Sequence, residues 1–194
     1  MSRFIWQRRF LTRCLGLSFF LATLVTSSAN AQSVASEEST TFLVVRHAER
    51  DGDLDKLTKT GLQRAKILAS LGSGLKVQAI YSTDTKRTKG TAEMLAKSID
   101  SDIELYRRPT SEWLTSLKKK HAGQVVLIVG HSNTTGVIAG MLANEKPFKI
   151  EHDEYDALFV VQISGASSQC LRLQYGNSSK GASSADPDKM GEID

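Results

Sequence analysis

Apolar residues follow two rhythms along this chain. Residues 42–45 (Phe42, Leu43, Val44, Val45) and 125–129 (Val125, Val126, Leu127, Ile128, Val129) are unbroken, mostly β-branched runs. Such runs predict strands buried on both faces, as in the middle of a parallel sheet. Residues 77–81 form a third run, and residues 103–106, where Ile103 and Leu105 alternate with Glu104, predict a half-exposed fourth. Between them the spacing changes to that of helices: Leu62, Ala65, Leu68 and Ala69 within 60–71, and Ala92, Leu95, Ala96 and Ile99 within 85–99. Residues 111–120 and 133–143 predict two further helices, the last with Val137, Ile138, Met141 and Leu142 inward.

The predicted order is β-α-β-α-β-α-β-α. That alternation calls for a three-layer α/β/α sandwich around a mostly parallel central sheet with right-handed crossovers. Two more strands, 157–163 and 170–175, flank the polar stretch 164–169 and predict an antiparallel C-terminal hairpin. Leu171, Leu173 and Tyr175 alternate there with Arg172 and Gln174, as on an edge strand. The domain is expected over residues 41–175. A polar, Ser-rich leader (32–40) and a Gly/Ser-rich tail (176–194) are too poor in apolar residues to predict packed structure.

Composition fits one globular domain: 194 residues, 40% hydrophobic and 24% charged. The net charge of +4 suggests an anionic partner until its source is found. Residues 1–31 hold Arg3, Arg8, Arg9 and Arg13 and no acid, then an apolar stretch from 15 to 25, then Ala29-Asn30-Ala31. This is the pattern of a secretory signal peptide cleaved after Ala31, with an apolar core short for a bilayer span. Removing it leaves 21 basic against 21 acidic residues. The mature chain then has no general affinity for nucleic acid or an anionic membrane to explain. It is expected to be periplasmic or secreted, without stable membrane insertion. Cys14 leaves with the signal, so Cys170 has no partner for an internal disulfide and reads as a small packing residue.

In open α/β sheets ligands sit beyond the carboxyl ends of the strands. The first strand runs into Arg46-His47-Ala48-Glu49-Arg50, the second is followed by a helix carrying Arg87 in its first turn, and the fourth runs into Gly130-His131-Ser132-Asn133. Two imidazoles and two guanidiniums are thereby expected on one rim. So much positive charge calls for an anion, and the planar fork of arginine matches phosphate oxygens. The helix starts after Asp84 and Ser132 are expected to add backbone N–H donors. His47, between Arg46 and Arg87, is expected to be kept uncharged by its cationic neighbours and hence nucleophilic. His131 is expected to donate to phosphoryl oxygens in the transition state.

Four ordered motifs then carry a family resemblance: Arg46-His47-Ala48-Glu49; Leu57-Thr58-x-x-Gly61-x-Gln63-x-Ala65; Tyr81-Ser82-x-x-x-x-Arg87-Thr88-x-x-Thr91-Ala92; and Val129-Gly130-His131-Ser132-Asn133-Thr134. Together they resemble the histidine phosphatase superfamily, the phosphoglycerate-mutase-like proteins, and its short members such as phosphohistidine phosphatases. The resemblance implies an α/β fold, transient phosphorylation of His47, and binding of the phosphoryl group by Arg46, Arg87 and His131. It also implies hydrolysis by water, with neither cofactor nor metal. The substrate would be a phosphorylated small molecule, with phosphosugars and phosphoproteins among the candidates. A phosphomutase and a non-catalytic phospho-ligand binding module of the same fold are the alternatives.

One departure from the family stands out. The acid-phosphatase branch carries Asp directly after its second histidine, where this chain has Ser132. Glu112, in Pro109-Thr110-Ser111-Glu112, is the candidate general acid, with Asp84, Glu49 and Glu154 behind it. Thr58 or Thr60 is expected to start a helix, with Gly61 and Gln63 serving the fold. His121 is expected to end one, and the acidic run 151–154 around His152 to be a solvated loop and not a metal site.

Overall fold

The computed structural model describes residues 39–52 and 54–179. The predicted signal segment and most of the predicted leader and tail lie outside the described residues. The elements are β1 (Thr40–Arg46), α1 (Lys59–Gly74), β2 (Ala79–Ser82), α2 (Lys86–Ser98), β3 (Ile103–Leu105), α3 (Ser111–Lys120), β4 (Val125–Gly130), α4 (Thr135–Ala143), β5 (Ala157–Ser164) and β6 (Ser167–Gln174).

One six-stranded sheet runs β3-β2-β4-β1-β5-β6. β1, β4, β2 and β3 pair in parallel, whereas β5 and β6 join antiparallel beyond β1. The sheet is therefore mixed, with the C-terminal hairpin at one edge and short β3 at the other. β1 shows why residues 42–45 are apolar without a break. Phe42 and Val44 pack with Leu114 and Leu117 of α3 and Ile138 and Leu142 of α4, while Leu43 and Val45 pack with Leu68 of α1 and Leu95 of α2. Two helices thus cover each face, as the strand-helix alternation requires.

Boundaries differ where polar chemistry overrides pattern. β2 starts at Ala79 and not at 77, because Val77 donates to the Gly72 carbonyl and Lys76 takes φ 57° to turn the chain out of α1. α4 starts at Thr135, two residues later than its apolar spacing predicts, because the His131 amide donates to Thr134 Oγ1 and holds 131–134 in a turn. The hairpin loop contracts from six residues to the turn at Gly165-Ala166, with Gly165 at φ 54°. Ser167, Ser168 and Gln169 pair with Ser164, Ile163 and Gln162, since ladder hydrogen bonds need no apolar side chains. Leu62, which shares the helical spacing of Ala65, Leu68 and Ala69, is exposed. Cys170 is half-buried, and burial pushes its thiol up to about 11, which keeps it protonated and unreactive.

The Leu57-Thr58-x-x-Gly61 stretch brings α1 against the segment that follows β1. Thr58 caps α1 by accepting from the Gly61 amide at 3.0 Å, and its own amide donates to the Glu49 carbonyl at 3.0 Å. A Cβ on Gly61 would lie 2.2 Å from that carbonyl oxygen, so only glycine permits the approach. Arg64, one turn on and 3% exposed, donates to both Glu49 carboxylate oxygens and to the carbonyls of Tyr175 and Asn177. One guanidinium ties the start of the motif loop to the end of the last strand, in a buried ion pair whose remaining donors are satisfied. Beyond β6, Ser179 is buried and its hydroxyl and amide donate to the Asp156 carboxylate.

Candidate active site

β1 delivers Arg46 and His47 to the carboxyl rim of the sheet, and the His47 amide is fixed by donating to the Gly130 carbonyl at 2.9 Å. Thr91 of α2 accepts from the Ala48 amide at 2.9 Å. The turn after β4 supplies His131, whose ring lies 5.6 Å from that of His47, centroid to centroid, at 67°. Arg87, in the first turn of α2, reaches His131 with Nη2 at 3.3 Å from Nδ1. The four residues expected to share a rim from their places after three strands do converge.

Hydrogen bonds assign the protons. His47 Nδ1 lies 2.8 Å from the Ala48 carbonyl oxygen, which can only accept, so Nδ1 carries the hydrogen and Nε2 is left with a lone pair. No hydrogen bond engages Nε2 among the described residues. The ring is 3% exposed, and its pKa is driven down to about 3. Burial is the largest cause, ahead of the charges of Arg46 and Arg87 and the neighbouring His131. The cationic neighbours expected to keep this ring neutral contribute, but desolvation dominates.

Arg46, also 3% exposed, is anchored through Nη1 to the carbonyls of Glu151, His152 and Glu154 at 3.3, 2.6 and 3.2 Å. Its guanidinium lies 4.0 Å from the ring centroid of Tyr155, and that ring lies 5.9 Å from His47. Arg87 is anchored in the same manner: Nη1 donates to Asp55 Oδ1 at 2.8 Å. In both arginines Nε is buried and has no hydrogen-bond partner among the described residues. Each guanidinium thus has Nη1 tied to the protein and a buried Nε donor left over, which is costly unless a ligand supplies an acceptor.

Three expectations change. His131 is not free to donate: its Nδ1 accepts from Arg87, which can only donate, so the proton sits on Nε2 and goes to Thr83 Oγ1 at 2.8 Å. Thr83 passes the chain on to Thr88, which donates to the Thr83 carbonyl. The amides at the start of α2 are also taken, those of Lys86 and Arg87 by Asp55 and that of Thr88 by Thr85, while Asp84 pairs with Lys89. Glu112 fits a general acid poorly, because it is exposed and its carboxyl is held below the usual range by its own amide and by the hydroxyls of Thr110 and Ser111. Glu49 and Glu154 are engaged by Arg64 and Arg172. Every carboxylate weighed as proton donor therefore has another partner or stands ionised in solvent.

Asp55, Thr83 and Tyr155 escape the motif reading, and so does the use of the 151–154 carbonyls. Exposed in side chain, Glu151, His152 and Asp153 behave as a solvated loop, yet its backbone grips Arg46. His121 does end α3, and its buried ring accepts from the Tyr81 hydroxyl through Nε2 while Nδ1 donates to Gln124. Among the described residues no group of three or more His, Cys, Asp or Glu is placed to hold a metal ion, and no helix is long and apolar enough to cross a membrane.

The fold has known counterparts. Residues 42–110 match the model of the histidine phosphatase superfamily (branch 1), a span holding the first three of the four motifs and His47, Arg46 and Arg87; His131 lies beyond it. In fold, the chain is similar to YhfR of Bacillus stearothermophilus, with a TM-score of 0.58 at 16% identity, over 69% of this chain and 96% of that one. It is also similar to a phosphoserine phosphatase of Entamoeba histolytica solved with 3-phosphoglyceric acid (TM-score 0.53, 16% identity, 72% and 98% of the two chains). A third counterpart is a candidate phosphohistidine phosphatase, SixA, of Nakamurella multipartitia (TM-score 0.54, 18% identity, 72% and 96%). No curated protein sequence matches the chain.

Proposed function

We propose that this protein is a phosphatase that hydrolyses phosphomonoesters through a phosphohistidine on His47. The observation that carries the reading is the pair of buried, unpartnered Nε donors of Arg46 and Arg87 flanking a histidine whose Nε2 is unprotonated and unbonded. A tetrahedral dianion supplies acceptors to both guanidiniums and brings phosphorus to the lone pair.

The Nε2 lone pair attacks phosphorus and the ester P–O bond breaks, its electron pair leaving with the alcohol oxygen. Charge on the equatorial oxygens is met by the two guanidiniums. The dianion beside Arg87 also raises the affinity of His131 for a proton. Protonated on Nδ1, that ring becomes a donor to the phosphoryl group. Water then attacks the phosphohistidine, releasing inorganic phosphate and restoring the imidazole. No metal or cofactor enters these steps. Phosphoserine and 3-phosphoglyceric acid, bound by structural counterparts, set the scale for a phosphorylated small-molecule substrate.

The sequence pattern of residues 1–31 supports export to the periplasm or beyond, with cleavage after Ala31. N-terminal sequencing of protein recovered from the periplasm or medium should then begin at Gln32.

The decisive test is intact-mass measurement after a neutral quench of enzyme mixed with para-nitrophenyl phosphate. Wild type should gain one phosphoryl group and hydrolyse the ester in the presence of EDTA, and His47→Ala should do neither. An adduct retained in His47→Ala, or activity abolished by EDTA, would overturn the assignment.

A further inference from the structure

Asp55 belongs to none of the four motifs, yet it makes three hydrogen bonds to the start of α2. Oδ2 accepts from the Lys86 amide at 2.8 Å, and Oδ1 accepts from the Arg87 amide at 3.2 Å and from Arg87 Nη1 at 2.8 Å. The loop that carries it is held at both ends. The Asp51 amide donates to the Lys56 carbonyl, the Leu54 amide to the Asp51 carbonyl, and Arg50 bridges to Leu57 just before the Thr58 cap of α1. The carboxylate therefore comes from a braced base to a helix terminus, where a negative charge is favoured.

This arrangement divides the guanidinium of Arg87. Nη1 is committed to Asp55, Nη2 points at His131 Nδ1, and Nε is buried and unpartnered. The Nε and Nη2 hydrogens of arginine lie on one edge and can grip two oxygens of a tetrahedral anion together. An anion can thus be held on that edge without displacing Asp55. Arg46 shows the same division, with three backbone carbonyls in place of the carboxylate.

From this we infer that Asp55 is a positioning residue, which holds Nη1 of Arg87 and the first amides of α2 so that the Nε–Nη2 edge of that arginine faces the phosphoryl group. The inference rests on the phosphatase reading of the same site. It opposes a simple electrostatic view, in which a carboxylate beside a phosphate-binding arginine only competes with the phosphate. The two views differ in sign. If Asp55 positions, its loss weakens phosphate binding although a negative charge is removed; if it competes, its loss tightens binding.

The test compares wild type, Asp55→Ala, Asp55→Asn and Asp55→Glu by calorimetric binding of inorganic phosphate, by kcat and KM on para-nitrophenyl phosphate, and by thermal melting. Positioning predicts that Asp55→Ala weakens phosphate binding and lowers kcat/KM, each by about tenfold or more, the scale of a charge-assisted hydrogen bond. It also predicts that Asp55→Glu recovers part of the loss while Asp55→Asn, which melts close to wild type, does not recover it fully. Tighter phosphate binding in Asp55→Ala or Asp55→Asn, or unchanged kinetics in folded variants, would overturn the inference while the phosphatase reading stands. A wild type that neither binds phosphate nor turns over would instead remove the reading on which the inference depends.

Discussion

His47 donates through Nδ1 to the carbonyl of Ala48 at 2.8 Å, and this bond to the adjacent residue decides the state of the other ring nitrogen. Nε2 is left as an unprotonated base in a ring on which the charges of Arg46 and Arg87 act. Burial then keeps it so, because a cation in this position would lose its water and meet like-charged neighbours, a loss that the hydrogen bond to the Ala48 carbonyl does not offset.

The first prediction concerns pH. With its pKa near 3, the His47 ring should stay neutral from pH 8 to pH 4.5, and its nitrogen chemical shifts should not titrate in that range. A histidine with an ordinary midpoint near 6.5 at this position would contradict the assignment.

The same shift makes stability pH-dependent, with a sign that can be worked out. The folded pKa lies below the unfolded one, so the unfolded chain binds protons that the folded chain refuses. The stability is fully present above about pH 6.5 and is lost as pH falls toward 3. His131, also lowered by burial first and then by Arg87 and Arg46, acts in the same direction. Urea midpoints at pH 7.5 and 4.5 should differ more in wild type than in His47→Gln.

A second consequence concerns the leaving group. Since the carboxylates of Glu49, Asp84, Glu112 and Glu154 are ion-paired or held ionised, none is poised to protonate a departing oxygen. Rates should fall steeply from para-nitrophenyl to phenyl to alkyl phosphates. Equal rates across that series would mean that another group protonates the departing oxygen.

Gly61 offers a test of how α1 supports the motif loop. In Gly61→Ala the new methyl would meet the Glu49 carbonyl oxygen at 2.2 Å, so helix and loop must part. We expect a loss of about 1–3 kcal/mol on chemical denaturation, accompanied by reduced kcat/KM.

Tyr155 contacts both Arg46 and His47 by its ring, which packs over the guanidinium. Tyr155→Ala should lower kcat/KM by about five- to thirtyfold, the worth of a desolvated cation–π contact of roughly 1–2 kcal/mol, whereas Tyr155→Phe should stay near wild type. Equal losses in the two variants would shift the role from the ring to the hydroxyl. Its backbone is fixed by Ser179, whose hydroxyl accepts from the Tyr155 amide at 3.1 Å, so Asp156→Ala, which frees Ser179, should show a milder form of the Tyr155→Ala defect.

The strand-helix order was legible because burial imposes a local period: the middles of β1 and β4 lie between two helical layers and are apolar without a break, over residues 42–45 and 125–129, whereas a helix must be apolar every third or fourth. Arg46, His47, Arg87 and His131 were legible as a cluster for a related reason, since parallel strands deliver whatever follows them to one rim. Only the tertiary structure decided what these groups can do. The carbonyls that hold Arg46 come from residues more than 100 positions away, Asp55 reaches Arg87 across 32 positions, and Thr83 takes the proton of His131 across 48. Such polar contacts follow no period, because each depends on one direction of one hydrogen bond. Chain order therefore determined which side chains share the rim, and folding determined their protons, their anchors and which donors remain for a ligand.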